Sequence, residues 1–403
     1  MDSTIRKFYI ASFLGSLSFT NGILILYYRN IDFSYAQIFL LTIVYELLTF
    51  LLEIPTGILA DLWSRKWVVT IGHAISGLSF LVVLISPTSF FIFVIWSVLS
   101  AICTALNSGT MTAIIYDSLK EKKKESEFFK VQSNITTLIL FSQTISIICG
   151  GWVANSLGFQ YTFILSAIAG LAQAWTLAGI KEPQIHMTEG DPVRDQPHKY
   201  FYKDFIHHFN ISISFMFTNK VFRLISIFCI LGFTTSTIFN NILQPLITIS
   251  GLDTYMEVSL IIACINLLTM LAIFIFRKRS SSITQKGNFL GLQILIAAAF
   301  FTIGITHSIW VMAILALLNI LLEMYQLIIN TKINQLTPSE NRATILSTQN
   351  QMNSLSYSFL AFFLGKSIDH NGLHNSMVII GTIFLFFTCS GFLYEKIKSQ
   401  KVS

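Results

Sequence analysis

Charge is scarce in this chain. Asp, Glu, Lys and Arg make up 11% of 403 residues, less than half the share in an average soluble domain. A soluble fold of this length could not hide a hydrophobic content of 53%, whereas a bilayer acts as solvent for it. With a mean hydropathy of +0.67, the composition reads as a membrane protein. Cysteine is also sparse: Cys103, Cys149, Cys229, Cys264 and Cys389 are scattered through apolar segments. No Cys-x-x-Cys pair occurs among them, which argues against a disulfide framework or thiolate metal site and for small hydrophobes. A phosphate loop ending in Gly-Lys-Ser/Thr and zinc-type ligand spacings are both missing, so no nucleotide, metal or other cofactor is expected. The N-terminal apolar run is too long for a signal-peptide core and no small-residue cleavage site follows it, so it is expected to be the first span.

What is present is a series of apolar runs near the roughly 20 residues needed to cross hydrocarbon. They fall near 8–28, 36–60, 67–86, 90–117, 132–155 and 159–179, then near 221–245, 255–276, 287–305, 309–332, 343–368 and 374–394. The expected architecture is an all-α membrane protein with twelve transmembrane helices in two six-helix bundles, residues 1–180 and 221–403. Residues 181–220 form a polar linker that holds Pro183, Pro192 and Pro197 and both signs of charge. Its stretch "FYKDFIHHFNISISFMF" suits an interfacial amphipathic helix, with His207 and His208 as solvated linker residues. With both termini in the cytoplasm, all of the 26 Lys and Arg except Arg29 and Lys366 lie on the cytoplasmic side. The reverse topology would invert that bias. The runs "KEKKKESEFFK" and "RKR" are therefore read as topology signals and anionic-lipid contacts, with no nucleic-acid partner.

Polar residues recur at helical spacing inside several spans. In the second, Thr42, Glu46, Thr49 and Glu53 share one face. In the tenth, Asn319, Glu323, Gln326 and Asn330 repeat the pattern, as do Thr234, Thr237, Asn241 and Gln244 in the seventh. The eleventh carries Asn350, Asn353 and Tyr357, while the third, sixth, ninth and twelfth are nearly bare. Exposing such groups to lipid costs several kcal/mol, so the stripes should line a wet interior and the bare helices the outer wall. Glu46 and Glu323 lie mid-span, about 15 Å deep at 1.5 Å per residue. No Lys or Arg is expected at their depth, which makes them candidate proton or cation sites; the plainer alternative is a protonated acid bonding across helices. His73, on a bare helix, reads as a packed or lipid-edge residue.

The densest cluster of charge is "LLEIPTGILADLWSRKWVV", where Gly57 is followed by Asp61, then by Arg65 and Lys66. That loop resembles the signature between the second and third helices of the major facilitator superfamily. "LLEIPTGILAD", "SGTMTAIIYDSLKE" and "RATILS", which opens with Arg342, resemble its bacterial multidrug-type branch. Two positions depart from the pattern: Leu62 stands where a basic residue is usual, and Ser64 where a glycine is. The resemblance covers the whole chain and implies a monomer in the plasma membrane, with a gate built from Glu53, Gly57, Asp61, Arg65, Lys66 and Asp117. Arg65 and Lys66 can pair with Asp61 or Asp117, and the helix start at "ENRATILS" can face Asp61. Glu53 reads equally as hinge, gate or substrate residue. Without an ATP site, transport must follow a gradient.

The leading expectation is proton-coupled export of amphipathic or cationic small molecules through a cavity holding Glu46, Glu323, Asn241, Gln244, Asn319, Gln326 and Asn350. The alternative is uptake of a polar nutrient such as a sugar or nucleoside, which the same amides would serve. A non-transporting scaffold would need neither buried acids nor a gate motif. No enzymatic activity is expected.

Overall fold

In hydrocarbon a backbone must satisfy its own N–H and C=O groups, so the apolar runs become helices. The computed structural model describes residues 3–183, 214, 218–276, 286–306, 310–337 and 342–400. The expected linker helix, with His207 and His208, lies outside them. The first helices are α1 (Ser3–Gly15), α2 (Leu24–Asn30), α3 (Tyr35–Leu62), α4 (Arg65–Val83), α5 (Phe90–Asn107), α6 (Thr110–Glu121), α7 (Phe128–Ser156) and α8 (Gln160–Ala178). There follow α9 (Lys220–Thr248), α10 (Tyr255–Phe276), α11 (Lys286–Ile305), α12 (Val311–Leu336) and α13 (Arg342–Gln400). Among the described residues no strand occurs, and nine helical stretches are long and apolar enough to cross a membrane.

The helices start where the sequence supplies caps. Ser64 accepts from the Trp67 N–H at 3.2 Å to open α4, and Asn219 caps α9 through the N–H groups of Val221 and Phe222. Thr254 and Glu257 form a reciprocal capping box on α10: Thr254 N–H donates to Glu257 at 3.2 Å and Glu257 N–H to Thr254 Oγ1 at 3.2 Å.

Several expected spans differ in form. The run 90–117 divides into α5 and α6 at Gly109, whose φ is 71°. The run 8–28 is broken into α1 and α2, because Ser16, Ser18, Thr20 and Asn21 offer the backbone competing partners. Ser18 Oγ donates to Asn21 Oδ1 at 2.9 Å, and the Phe19 N–H donates to Ser166 Oγ at 3.0 Å. The opened segment sits against Gly150, where a Cβ would come within 2.0 Å of the Phe19 carbonyl oxygen. At the other end, α13 runs through the expected eleventh and twelfth spans. It is interrupted at Gly372, whose φ of 80° and ψ of 167° leave the helical region.

The chain packs as two compact units. The first takes described residues from Met1–Phe33, Leu41–Tyr202 and Thr254–Ala263, the second from Ser34–Leu40, Lys203–Asp253 and Cys264–Ser403. In the first unit the bare helices α4 and α8 cross at Gly77 and Gly170, where a Cβ on Gly170 would meet the Gly77 Cα at 2.9 Å. His73 is packed at this crossing, 3.2 Å from Gln173. Ile5, Phe8, Ile115, Leu119, Val131 and Leu177 bring α1, α6, α7 and α8 into one apolar cluster. In the second unit Tyr325 is fully buried. Its ring fills the space left by Gly232, where a Cβ would lie 2.3 Å from Cε1. Cys103 and Cys229 are free and buried, in keeping with cysteines used as small hydrophobes.

Candidate functional site

The loop from α3 to α4 gathers most of the motif residues of the first unit. Helix α3 runs through Pro55, which removes one backbone donor. Thr56 Oγ1 answers by donating within reach of Leu52 O at 2.8 Å and Ala105 O at 2.9 Å, tying α3 to α5 beside the proline. Glu53, half-buried, accepts from Ser108 Oγ at 3.1 Å. Gly57 has open space around it: a Cβ there would meet nothing within 4 Å. The glycine is therefore not demanded by packing in this state. Asp61 lies in the last turn of α3 and Arg342 opens α13, but their side chains fall outside the described residues.

Arg65 and Lys66, alike in sequence, are placed differently. Arg65 Nη1 donates to Asp117 Oδ2 at 2.9 Å, and Asp117 is buried in α6. The Lys66 ammonium lies 4.8 Å from the Trp67 ring centroid, a cation–π distance. The start of α4 also holds a residue that motif reading missed. Glu182, just past α8, accepts from Ser64 Oγ and, at 3.3 Å, from the Lys66 N–H. A carboxylate there satisfies orphan N–H groups and faces the positive end of the helix dipole. Ser64, the departure from the signature, is thus employed twice: as cap and as donor to Glu182. A sequence signal did exist, an acid directly after the basic Lys181, but nothing local tied it to Ser64.

The α3 stripe is half-buried along its length, at Thr42, Glu46, Thr49 and Glu53. Next to Glu46, Tyr45 and Thr104 are hydrogen-bonded through their hydroxyls at 3.0 Å. Thr49 Oγ1 is buried with no hydrogen-bond partner among the described residues.

In the second unit the stripe residues divide into two groups. One group is committed to helix–helix bonds. Asn319 Nδ2 donates to Thr269 Oγ1 at 2.9 Å, joining α12 to α10. Asn241 Nδ2 donates to the Tyr357 hydroxyl at 2.8 Å, joining α9 to α13. Asn353 Nδ2 donates to Cys229 Sγ at 3.7 Å, also joining α13 to α9, and is buried, as is Gln244. The other group is unengaged: Glu323 and Gln326 are half-buried and Asn350 exposed. None of these three has a hydrogen bond or ion pair with another described residue. Glu323 thus stands mid-helix with a carboxylate that no described residue of its own unit neutralises. Beneath it, the Tyr325 hydroxyl donates to Phe228 O at 2.9 Å and accepts from Gln293 at 3.4 Å, fixing that turn of α12. The bonds of Thr269 and Gln293 were not foreseeable, because neither residue belongs to a polar stripe read from the sequence.

Asp369, in the "LGKSIDHNG" stretch, was also missed as a contact. Its two carboxylate oxygens accept from the backbone N–H groups of Tyr35 and Ala36, at 2.8 and 2.9 Å, and so cap α3 within the second unit. Gly365, one turn earlier, lets the backbones approach: a Cβ there would be 2.9 Å from the Ala36 Cα.

Residues 8–361 match the family model described as Major Facilitator Superfamily. No curated protein sequence matches the chain. Among solved structures, a point mutant of the nucleoside transporter NupG superposes with a TM-score of 0.76 at 15% identity, covering 97% of this chain and 99% of that one. A bacterial homologue of the human lysosomal transporter Spinster gives 0.72 at 16% identity, over 98% and 96%. A POT family transporter in complex with 5-aminolevulinic acid gives 0.71 at 12%, over 97% and 95%. At these identities the likeness concerns the fold.

Proposed function

The chain belongs to the Major Facilitator Superfamily and is a multi-pass membrane transporter rather than an enzyme, and on that premise we propose that it exports amphipathic or cationic small molecules in exchange for protons, by alternating access. The carrying observation is Glu323: a half-buried carboxylate in the middle of a long apolar helix, with no ion pair or hydrogen bond among the described residues. A lone acid at such depth is stable when it holds a proton or a cation, and it switches charge when it gives that partner up. One charge moved through the membrane potential is worth about 2.3 kcal/mol per 100 mV, enough for roughly 50-fold accumulation of a solute. Glu46, half-buried on α3, is the second acid in this reading. Arg65, Asp117, Lys66 and Glu182 form a gate at the α3–α4 loop, with Glu53 and Gly57 at its hinge. The reading includes twelve spans, two bundles of residues 1–180 and 221–403 with a linker over 181–220, and both termini in the cytoplasm. It describes a monomer in a bacterial plasma membrane, of the multidrug type.

A second reading, uptake of a polar nutrient such as a nucleoside, is favoured by the unengaged amides of Gln326 and Asn350, which can both donate and accept. One experiment separates the two. Inverted vesicles carrying a pH gradient are given a fluorescent lipophilic cation, and proton release is followed. Release in the wild type that vanishes in Glu323→Gln supports export. Silence with lipophilic cations, together with nucleoside uptake by whole cells, would replace the first reading with the second.

A further inference from the structure

Glu182 follows the end of α8 on a stretch of chain held from both sides. The Lys7 ammonium donates to the Gly179 carbonyl at the C-cap of α8, a cation at the negative end of that helix. Ile180 is buried in one apolar cluster with Ile5 and Phe8, and Pro183 is buried as well. The Glu182 carboxylate therefore starts from a fixed backbone, and it is directed at the first turn of α4.

There Ser64 takes the extended conformation of an N-cap, with φ −109° and ψ 116°. Its hydroxyl accepts from the Trp67 N–H at 3.2 Å and donates to Glu182, which also accepts from the Lys66 N–H at 3.3 Å. The first N–H bonded within the helix is that of Val68, to Ser64 O at 2.9 Å. Lys66 and Trp67 thus depend on one carboxylate for their N–H groups, the first directly and the second through the orientation of a hydroxyl. The glycine usual at position 64 would supply neither link. Burial of Val68 and Val69 fixes the helix from there onward, but the turn before them is held only by this cap.

We propose that Glu182 is a positioning residue: by keeping the first turn of α4 wound, through Ser64 and the Lys66 N–H, it assigns Asp117 to Arg65 and withholds it from Lys66. Consecutive helical residues point about 100° apart. With the turn wound, Arg65 meets Asp117 at 2.9 Å while the Lys66 ammonium lies over the Trp67 ring. With the turn unwound that angle is lost, and two adjacent cations compete for one buried carboxylate. The choice matters chemically, because a planar guanidinium and a point-charge ammonium are not interchangeable partners. Its consequence for transport rests on the reading of the α3–α4 loop as a gate; the choice of partner stands apart from that reading.

The test reads the choice of partner by double-mutant cycles on the full chain, unfolded in mixed micelles. One cycle combines Arg65→Gln with Asp117→Asn, the other Lys66→Gln with Asp117→Asn, and both are repeated in a Glu182→Ala background. Without that change, the Arg65 cycle should show a coupling of roughly 30-fold in the unfolding constant, and the Lys66 cycle none. In Glu182→Ala the Arg65 coupling should fall about fivefold, matching the loss of about one N-cap. A Lys66 coupling of about threefold, that of a partly wet pair, should appear beside it. Glu182→Gln keeps an acceptor and should restore most of the original pattern. Ser64→Gly should reproduce the switch, and it gives the answer if Glu182→Ala does not fold. A Glu182 that merely stabilises the fold would lower every variant alike and leave both couplings unchanged, which overturns the proposal. Equal couplings of Arg65 and Lys66 to Asp117 in the unaltered chain overturn it too. A switched partner with an unchanged rate of transport would uphold the positioning role and remove the gate.

Discussion

Neutralising Asp117 gives the sharpest quantitative test of the gate. The Arg65–Asp117 contact is 2.9 Å long, with side chains 23% and 9% exposed. Fully exposed ion pairs couple by about 0.2–1 kcal/mol, while removing one partner of a buried pair costs about 3–5 kcal/mol. A pair with one member buried and the other partly wet falls between, at about 2 kcal/mol, or roughly a 30-fold change in an equilibrium constant. Both residues have further neighbours, so Asp117→Asn or Arg65→Gln alone would mix several contacts. A double-mutant cycle isolates the pair. The measurement is unfolding of purified protein in mixed micelles with increasing denaturing detergent, for the wild type, both single variants and the double variant. The expected coupling is about 2 kcal/mol, with the double variant less damaged than the sum of the singles. Coupling below about 0.5 kcal/mol would show that this contact is a surface pair in effect, and would remove Asp117 from the gate.

Two further outcomes follow from contacts in the fold. Asp369→Ala removes both acceptors from the start of α3 and should lower stability in the same unfolding assay by about 1–2 kcal/mol, with Asp369→Asn near half of that because one oxygen remains; an unchanged midpoint in both variants would refute the cap. Glycine substitutions should divide by surroundings: Gly170→Val drives a side chain into the Gly77 backbone and should give aggregated protein by size-exclusion chromatography, whereas Gly57→Ala enters open space and should fold with equal or slightly raised stability, by up to about 1 kcal/mol. If Gly57→Ala aggregates, the surroundings of α3 at that position differ from those described.

Much of the fold was legible because one physical demand dominates a membrane chain. Apolar runs must be helical, and their lengths and caps are local properties, so α3, α4 and α7 to α10 fall close to where hydropathy places them. The fourth span breaks at Gly109, and the first was a further exception. Its hydroxyl-rich centre, Ser16 to Asn21, carries enough apolar neighbours to read as continuous, and the break depends on Ser166 and Gly150, more than a hundred residues away. The site was legible in residue type rather than in partnership. The stripes on α9, α12 and α13 named Asn241, Asn319 and Glu323 alike, yet the first two are bound into helix–helix contacts and the third is not.

The sequence by itself determined that this chain is a membrane protein, where its apolar helices lie, and which side chains are polar at depth, since each is a matter of composition and helical period. Only the tertiary structure decided that Arg65 rather than Lys66 takes Asp117, and that Glu182 and Asp369 cap distant helices. A hydrogen bond or ion pair needs its partners within about 3 Å, and a helix face specifies a direction without specifying what stands opposite.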